Sequence, residues 1–148
     1  MKSDRVLSSL IRIHRKRICR LKREIAPYHY VGTMHLIVFY LRRHPGASQE
    51  DIAAFHFLDK TSVARDARRL EEMGHIRREI DPENRRQYRL FLTPEGTEFL
   101  KILDGFHDGF AEQISQGFTE EEWKTLSLLL ERVEANCCDR AEEEKKEI

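Results

Sequence analysis

The sequence predicts a mainly α fold with one small β-hairpin: a winged helix-turn-helix flanked by helices at both ends. Three observations carry that prediction. Two helical patterns, SQEDIAAF and KTSVARDARRL, follow one another across a sharp connection at residues 56–59. Two short alternating runs, HIRREI and QYRLFL, come next and enclose the turn DPENRR, whose Pro and Asn are turn formers. Longer helical patterns with apolar stripes lie before and after this block. At 148 residues the chain is expected to form a single domain with a full core, its winged block at 31–92 and its flanking helices at 1–26 and 93–140.

The first helix is expected from Ser3 to Ala26, where Pro27 stops it. Leu7, Ile11, His14, Ile18, Leu21 and Ile25 form one stripe, widened by Val6, Leu10 and Ile13. That is too much apolar surface for a lone helix, so a partner is expected, with His14 packed in the stripe. The second helix, YVGTMHLIVFYLRRHPG, is apolar nearly all round and should be buried, with Pro45 and Gly46 ending it. Ser48 with Asp51, and Asp59 alone, have the positions of N-caps. Leu58 and Val63 have the spacing of a hydrophobic staple, and Gly74 sits where a helix-terminating glycine belongs. Beyond the hairpin, Thr93 caps a long helix striped with Phe99, Leu103, Phe106, Phe110 and Ile114. Gly105 and Gly109 within it permit close helix approach or a bend. Thr119 with Glu122 is a capping box for a last helix striped by Trp123, Leu126, Leu130, Val133 and Cys137. The AEEEKKEI end is expected to fray.

The helix after Asp59 divides into two faces. At 100° per residue, with Val63 as zero, Ala67 and Leu70 fall within about 40° of it and make a buried stripe. Thr61, Arg65 and Arg68 fall about 140° to 200° away, with Lys60 and Ser62 near the N-terminus. Arginine edges, hydroxyls and a helix N-terminus are what a DNA major groove and its phosphates accept. A solvated basic face on an ordinary helix would look the same in isolation. The hairpin that follows, tipped by Arg85 and Arg86, favours the nucleic-acid reading.

The stretch DKTSVARDARRLEEMGHIRR, the tip DPENRR and the segment LTPEG together resemble the MarR-type transcriptional regulators. The flanking helices extend the resemblance over nearly the whole chain. It implies a homodimer, interlocked through the terminal helices, that binds a roughly palindromic double-stranded DNA site and is released by a small-molecule or oxidant effector. The implied DNA-binding residues are Ser48, Gln49, Lys60, Thr61, Ser62, Arg65, Arg68, Arg69, Arg85 and Arg86. An effector pocket is implied near Tyr28, Tyr30 and His35, although ordinary packing explains those residues as well. The chain departs from the family twice. Asn84 replaces the usual wing aspartate that braces the arginine, here Arg86, which leaves Arg85 or Asp81 to compensate. Phe57 stands where many members have glycine.

Composition bounds the alternatives. No apolar run approaches transmembrane length, and no metal, nucleophile or phosphate-loop motif argues for an enzyme, a cofactor or a metal. Three cysteines without paired spacing suggest a reducing cytoplasm. The net charge of zero hides opposed ends: residues 1–44 hold eleven Lys/Arg against two acids, and residues 93–148 hold six against fifteen. A winged helix used as a protein-interaction module is one alternative; a metal sensor using histidines, or Glu24 with His107, is another. Cys19 is a redox candidate, because its helical neighbours Arg15, Lys16, Lys22 and Arg23 are all basic and favour thiolate. Cys137 should be packed and inert, and Cys138 has acidic neighbours.

Overall fold

The computed structural model describes residues 2–137; Cys138 and the AEEEKKEI end lie outside the described residues. Six helices and one hairpin follow in the order α1 (Lys2–Ile25), α2 (Met34–Arg43), α3 (Gln49–Phe55), α4 (Lys60–Glu72), β1 (Ile76–Ile80), β2 (Tyr88–Leu92), α5 (Pro94–Ser115) and α6 (Glu120–Cys137). The chain divides into two compact units, Met1–Gly109 and Phe110–Ile148, and the boundary falls within α5.

The caps stand where the side chains ask for them. Ser48 and Asp51 form a reciprocal capping box on α3, and Asp59 accepts from the Ser62 amide at the start of α4. Thr119 and Glu122 do the same for α6. Gly74 takes the left-handed conformation, φ 75°, that ends α4. Between α1 and α2 the structure departs from the sequence reading. A 3-10 turn at Ala26–Tyr28 follows α1, and His29 is left-handed. α2 begins only at Met34, because Gly32, at φ 56°, interrupts the helical pattern before it.

In the first unit, the core joins Leu21 and Ile25 of α1, Met34, Ile37, Val38 and Leu41 of α2, and Ile52 of α3. Val63, Ala67 and Leu70 of α4, Ile76 and Leu90 of the hairpin, and Phe99, Leu100, Leu103 and Phe106 of α5 complete it. The strands pair antiparallel, from Ile76 opposite Leu92 to Ile80 opposite Tyr88. A third segment joins them: the Gly46 amide donates to the Leu90 carbonyl at 2.8 Å, and the Leu90 amide to the Ala47 carbonyl at 3.0 Å. α5 starts on the end of α4. The Thr93 hydroxyl donates to the Gly74 carbonyl at 2.6 Å and accepts from the Gly96 amide at 3.1 Å. Gly96 packs so closely that a Cβ there would lie 2.1 Å from the His75 carbonyl oxygen.

Apolar surface is left over on the outer helices. Val6, Leu7, Ile11 and Ile13 of α1 are exposed, and so is His14, which the sequence reading had packed. The second unit leaves Leu128, Leu129, Leu130 and Val133 of α6 exposed, while Phe118 meets Trp123 edge-on at 5.6 Å. Cys137 is exposed rather than packed. Gly105 and Gly109 face open space, so close packing among the described residues does not require them.

Two backbone positions give opposite expectations. Phe57, in the α3–α4 turn, is left-handed at φ 52° with its ring 81% exposed, so it carries steric strain and buries little. Phe57→Gly is expected to raise the urea midpoint by roughly 1 kcal/mol of stability. Gly96→Ala is expected to lower it by at least about 1–3 kcal/mol, since the obstructing atom belongs to the backbone. Equal midpoints for the two variants would contradict this account.

Candidate functional site

The outward face of α4 is built as the residue spacing requires. Val63, Ala67 and Leu70 are buried, and Lys60, Thr61, Arg65, Arg68 and Arg69 are exposed. Ser62, Ser48 and Gln49 are half-buried at the N-termini of α4 and α3. The Ser48 hydroxyl is engaged in its cap, donating to Asp51 at 2.8 Å. Four cations and a hydroxyl thus share one solvent-facing side of a capped helix whose N-terminus is itself attractive to anions.

Asp66 is the residue that the sequence reading missed. It sits among these cations with no solvent exposure. Its Oδ2 accepts from the Thr33 amide at 2.7 Å and from the Thr33 hydroxyl at 2.9 Å. Its Oδ1 accepts from Arg65 Nε at 3.1 Å and lies 3.7 Å from Arg69 Nη1. Burial pushes the carboxyl up, but bonds from Thr33 and Arg65 outweigh it and hold the group below its ordinary range. A signal was available: an acid about 60° from Val63, on the edge of the stripe, in an otherwise basic stretch.

The hairpin tip presents Arg85 and Arg86 to solvent. Asn84, standing in for the usual aspartate, uses its side-chain oxygen to accept the Arg86 amide at 3.2 Å. Asp81 accepts from the Glu83 amide at 3.0 Å and pairs with Arg89 at 3.0 Å, so it braces the base of the tip.

Tyr28, Tyr30 and His35 go to two different neighbourhoods. Tyr30 is buried, stacked on Phe99 at 3.6 Å and hydrogen-bonded to His75 Nδ1 at 2.7 Å. Tyr28 meets the same Phe99 ring edge-on at 5.5 Å but is itself exposed. His35 is buried in a cationic surrounding of Arg17, His56, His107 and Lys22, and its Nδ1 has no hydrogen-bond partner among the described residues. Arg17 donates to His107 Nδ1 at 3.3 Å. A surface cleft of about 400 Å³ lies alongside, lined by Phe39, Tyr40, Arg42, Arg43, His44, Phe55 and His56. Among the described residues no group of three or more His, Cys, Asp or Glu is placed to hold a metal ion. Cys19 is exposed on α1, as are Arg15, Lys16, Lys22 and Arg23 around it. No helix among the described residues is long and apolar enough to cross a membrane.

A capped, cation-faced second helix of a helix-turn-helix, followed by a hairpin with an arginine tip, defines a winged helix-turn-helix protein. Known proteins agree. The MarR family model matches residues 33–88. The HTH-type transcriptional regulator YybA of Bacillus subtilis strain 168 is 33% identical over 102 residues, 69% of this chain and 68% of its own length. A crystal structure of MarR superposes with a TM-score of 0.76 at 32% identity, covering 98% of this chain and 94% of that one. The transcriptional regulator SlyA superposes at 0.78 with 27% identity, covering 88% and 92%. The chain belongs to the MarR family and is a DNA-binding transcriptional regulator, not an enzyme.

The buried histidine gives a pH dependence. Burial, then the positive charges of Arg17, His56, His107 and Lys22, lower His35 to about 4. The unfolded chain takes up the proton near pH 6.5 and the folded chain only near 4, so the associated stability is complete above 6.5 and lost as pH falls between those values. Burial lowers His56, His75 and His107 as well, in the same direction. Wild type is expected to lose about 3 kcal/mol through His35 across this window. His35→Gln, compared by urea unfolding at pH 7 and pH 4, should show a clearly smaller loss. An unchanged difference would remove His35 as its source.

Proposed function

We propose that this protein is a repressor that binds a roughly palindromic operator as a homodimer and is released by a small-molecule or oxidant effector. The observation that carries the DNA reading is the exposed row Thr61, Arg65 and Arg68 on α4, with Arg85 and Arg86 at the wing tip. In this reading Thr61, Arg65 and Arg68 reach base edges or the phosphates beside them, while Lys60, Ser62 and Arg69 mainly contact phosphate. Ser48 and Gln49 add backbone contacts from α3. Arg86, with Arg85, enters or flanks the minor groove, where a narrow A·T-rich groove attracts arginine. The exposed apolar residues of α1 and of α6 support the dimer, because each helix keeps a stripe left exposed among the described residues. Two-fold symmetry then places half-sites about one helical turn apart.

A salt-dependent gel shift on operators selected from random duplex DNA tests the whole reading. Arg65→Ala is expected to weaken binding by about 1–3 kcal/mol and to relax base preference. Arg69→Ala should weaken all sequences alike and flatten the salt slope. If Arg65→Ala and Arg86→Ala both bind as wild type does, or if sedimentation finds a stable monomer at micromolar concentration, the reading fails.

The effector half of the proposal has two supports. The cleft beside α2 combines aromatic rings with Arg42 and Arg43, a lining suited to a flat anionic molecule. Cys19 is exposed on α1, so its thiol is open to attack by peroxide. Mild peroxide is therefore expected to release DNA from wild type and not from Cys19→Ser. Release that survives the substitution excludes Cys19 as the oxidant sensor.

A further inference from the structure

Asp66 divides its two oxygens between two tasks. Oδ2 is taken by the N-cap residue of α2, through the Thr33 amide at 2.7 Å and the Thr33 hydroxyl at 2.9 Å. Oδ1 is taken by the arginines of α4's own outer face, chiefly Arg65 Nε at 3.1 Å. The carboxylate has no solvent exposure, whereas the Arg65 side chain is 55% exposed. The loop before α2 is shaped around this group: a Cβ on Gly32 would come within 2.4 Å of Oδ2, and Gly32 is left-handed.

A guanidinium is planar and presents its donors in a fixed fork. Bound at Nε from one side, it keeps its terminal Nη1 and Nη2 groups available. A terminal pair of that kind contacts the O6 and N7 atoms of guanine. Fixing the side chain beforehand also reduces the rotamer freedom lost on binding.

We propose that Asp66 is a positioning residue for DNA reading: it holds Arg65 with its terminal edge outward and ties that orientation to the N-terminus of α2. The proposal rests on the reading of α4 as the helix that enters the major groove. It adds a residue that touches no base yet sets base preference. It also gives a route by which a displacement at Thr33 reaches Arg65 without unfolding α4.

The test is a double-mutant cycle on the full-length protein, using the selected operator and an unrelated duplex of the same length. Asp66→Asn is expected to weaken operator binding about tenfold, the scale of one well-made base contact, and to leave binding to the unrelated duplex unchanged. In the Arg65→Ala background the same substitution should have no further effect on the ratio of the two affinities. Should Asp66→Asn lower both affinities in proportion, or act equally in both backgrounds, the positioning role is overturned while the reading of α4 stands. Should Arg65→Ala itself bind the operator as wild type does, that reading falls and the proposal with it. Proton exchange in wild type supplies a measurement that needs no variant to fold. The Arg65 Nε proton should exchange with water markedly more slowly than that of exposed Arg68, and equal rates would overturn the proposal.

Discussion

A fully buried carboxylate stands on a helix whose exposed surface carries Lys60, Arg65, Arg68 and Arg69. An unpaired charge in that position would be strongly destabilising, so the surroundings of Asp66 must supply compensation. They do so from two directions. The N-terminus of α2 donates an amide and a hydroxyl, and its backbone dipole favours a negative charge there. The flanking arginines of α4 donate from the other side. The arrangement ties the N-cap of α2 to α4, leaves no room for a side chain at residue 32 before that cap, and restrains how α4 is rotated about its axis. The apolar stripe of Val63, Ala67 and Leu70 alone would tolerate small rotations; the carboxylate restricts them.

Much of this fold was legible from residue types alone. Ser48, Asp59, Thr93 and Thr119 are caps because short oxygen-bearing side chains at those spacings satisfy amides that a helix leaves open. Both strands and the outward face of α4 followed from periodicity, which is a local property. What escaped was not local. Tyr30, with a polar tip beside histidines, reads equally well as pocket lining or core; stacking on Phe99, nearly seventy residues on in the chain, is what buries it. Asp66 gives no local sign of its role, because its partner Thr33 lies 33 residues away. The run YVGTMHLIVF suggested an earlier helix start, and only the left-handed Gly32 moves that start to Met34. His14 was misplaced for a different reason. Heptad spacing identifies a face that wants covering, and one chain by itself does not cover it.

The two departures from the family pattern have different physical outcomes. At the wing, Asn84 keeps the local turn by accepting the Arg86 amide, a job that needs an oxygen but no charge. At the α3–α4 turn, Phe57 keeps the backbone conformation that glycine would adopt freely and carries the strain in its own φ angle. In one case the substitution preserves a hydrogen bond and gives up a negative charge. In the other it preserves a backbone shape and gives up ease.

The bonds between residues 46–47 and Leu90 make the hairpin part of the helix-turn-helix rather than an appendage to it. With one face of Leu90 buried in the core and its backbone shared with the segment before α3, the root of the wing is pinned at the same place that positions α3. In the proposed docking on DNA, the module would act as a caliper whose jaws are α4 and the arginine tip. Such a gauge responds to the distance between neighbouring grooves. In that docking, duplexes whose local geometry already matches the opening would be favoured, and stiffer or differently twisted ones would have to deform to fit. Selectivity of that kind resides in the mechanical properties of the DNA, at base pairs no side chain contacts.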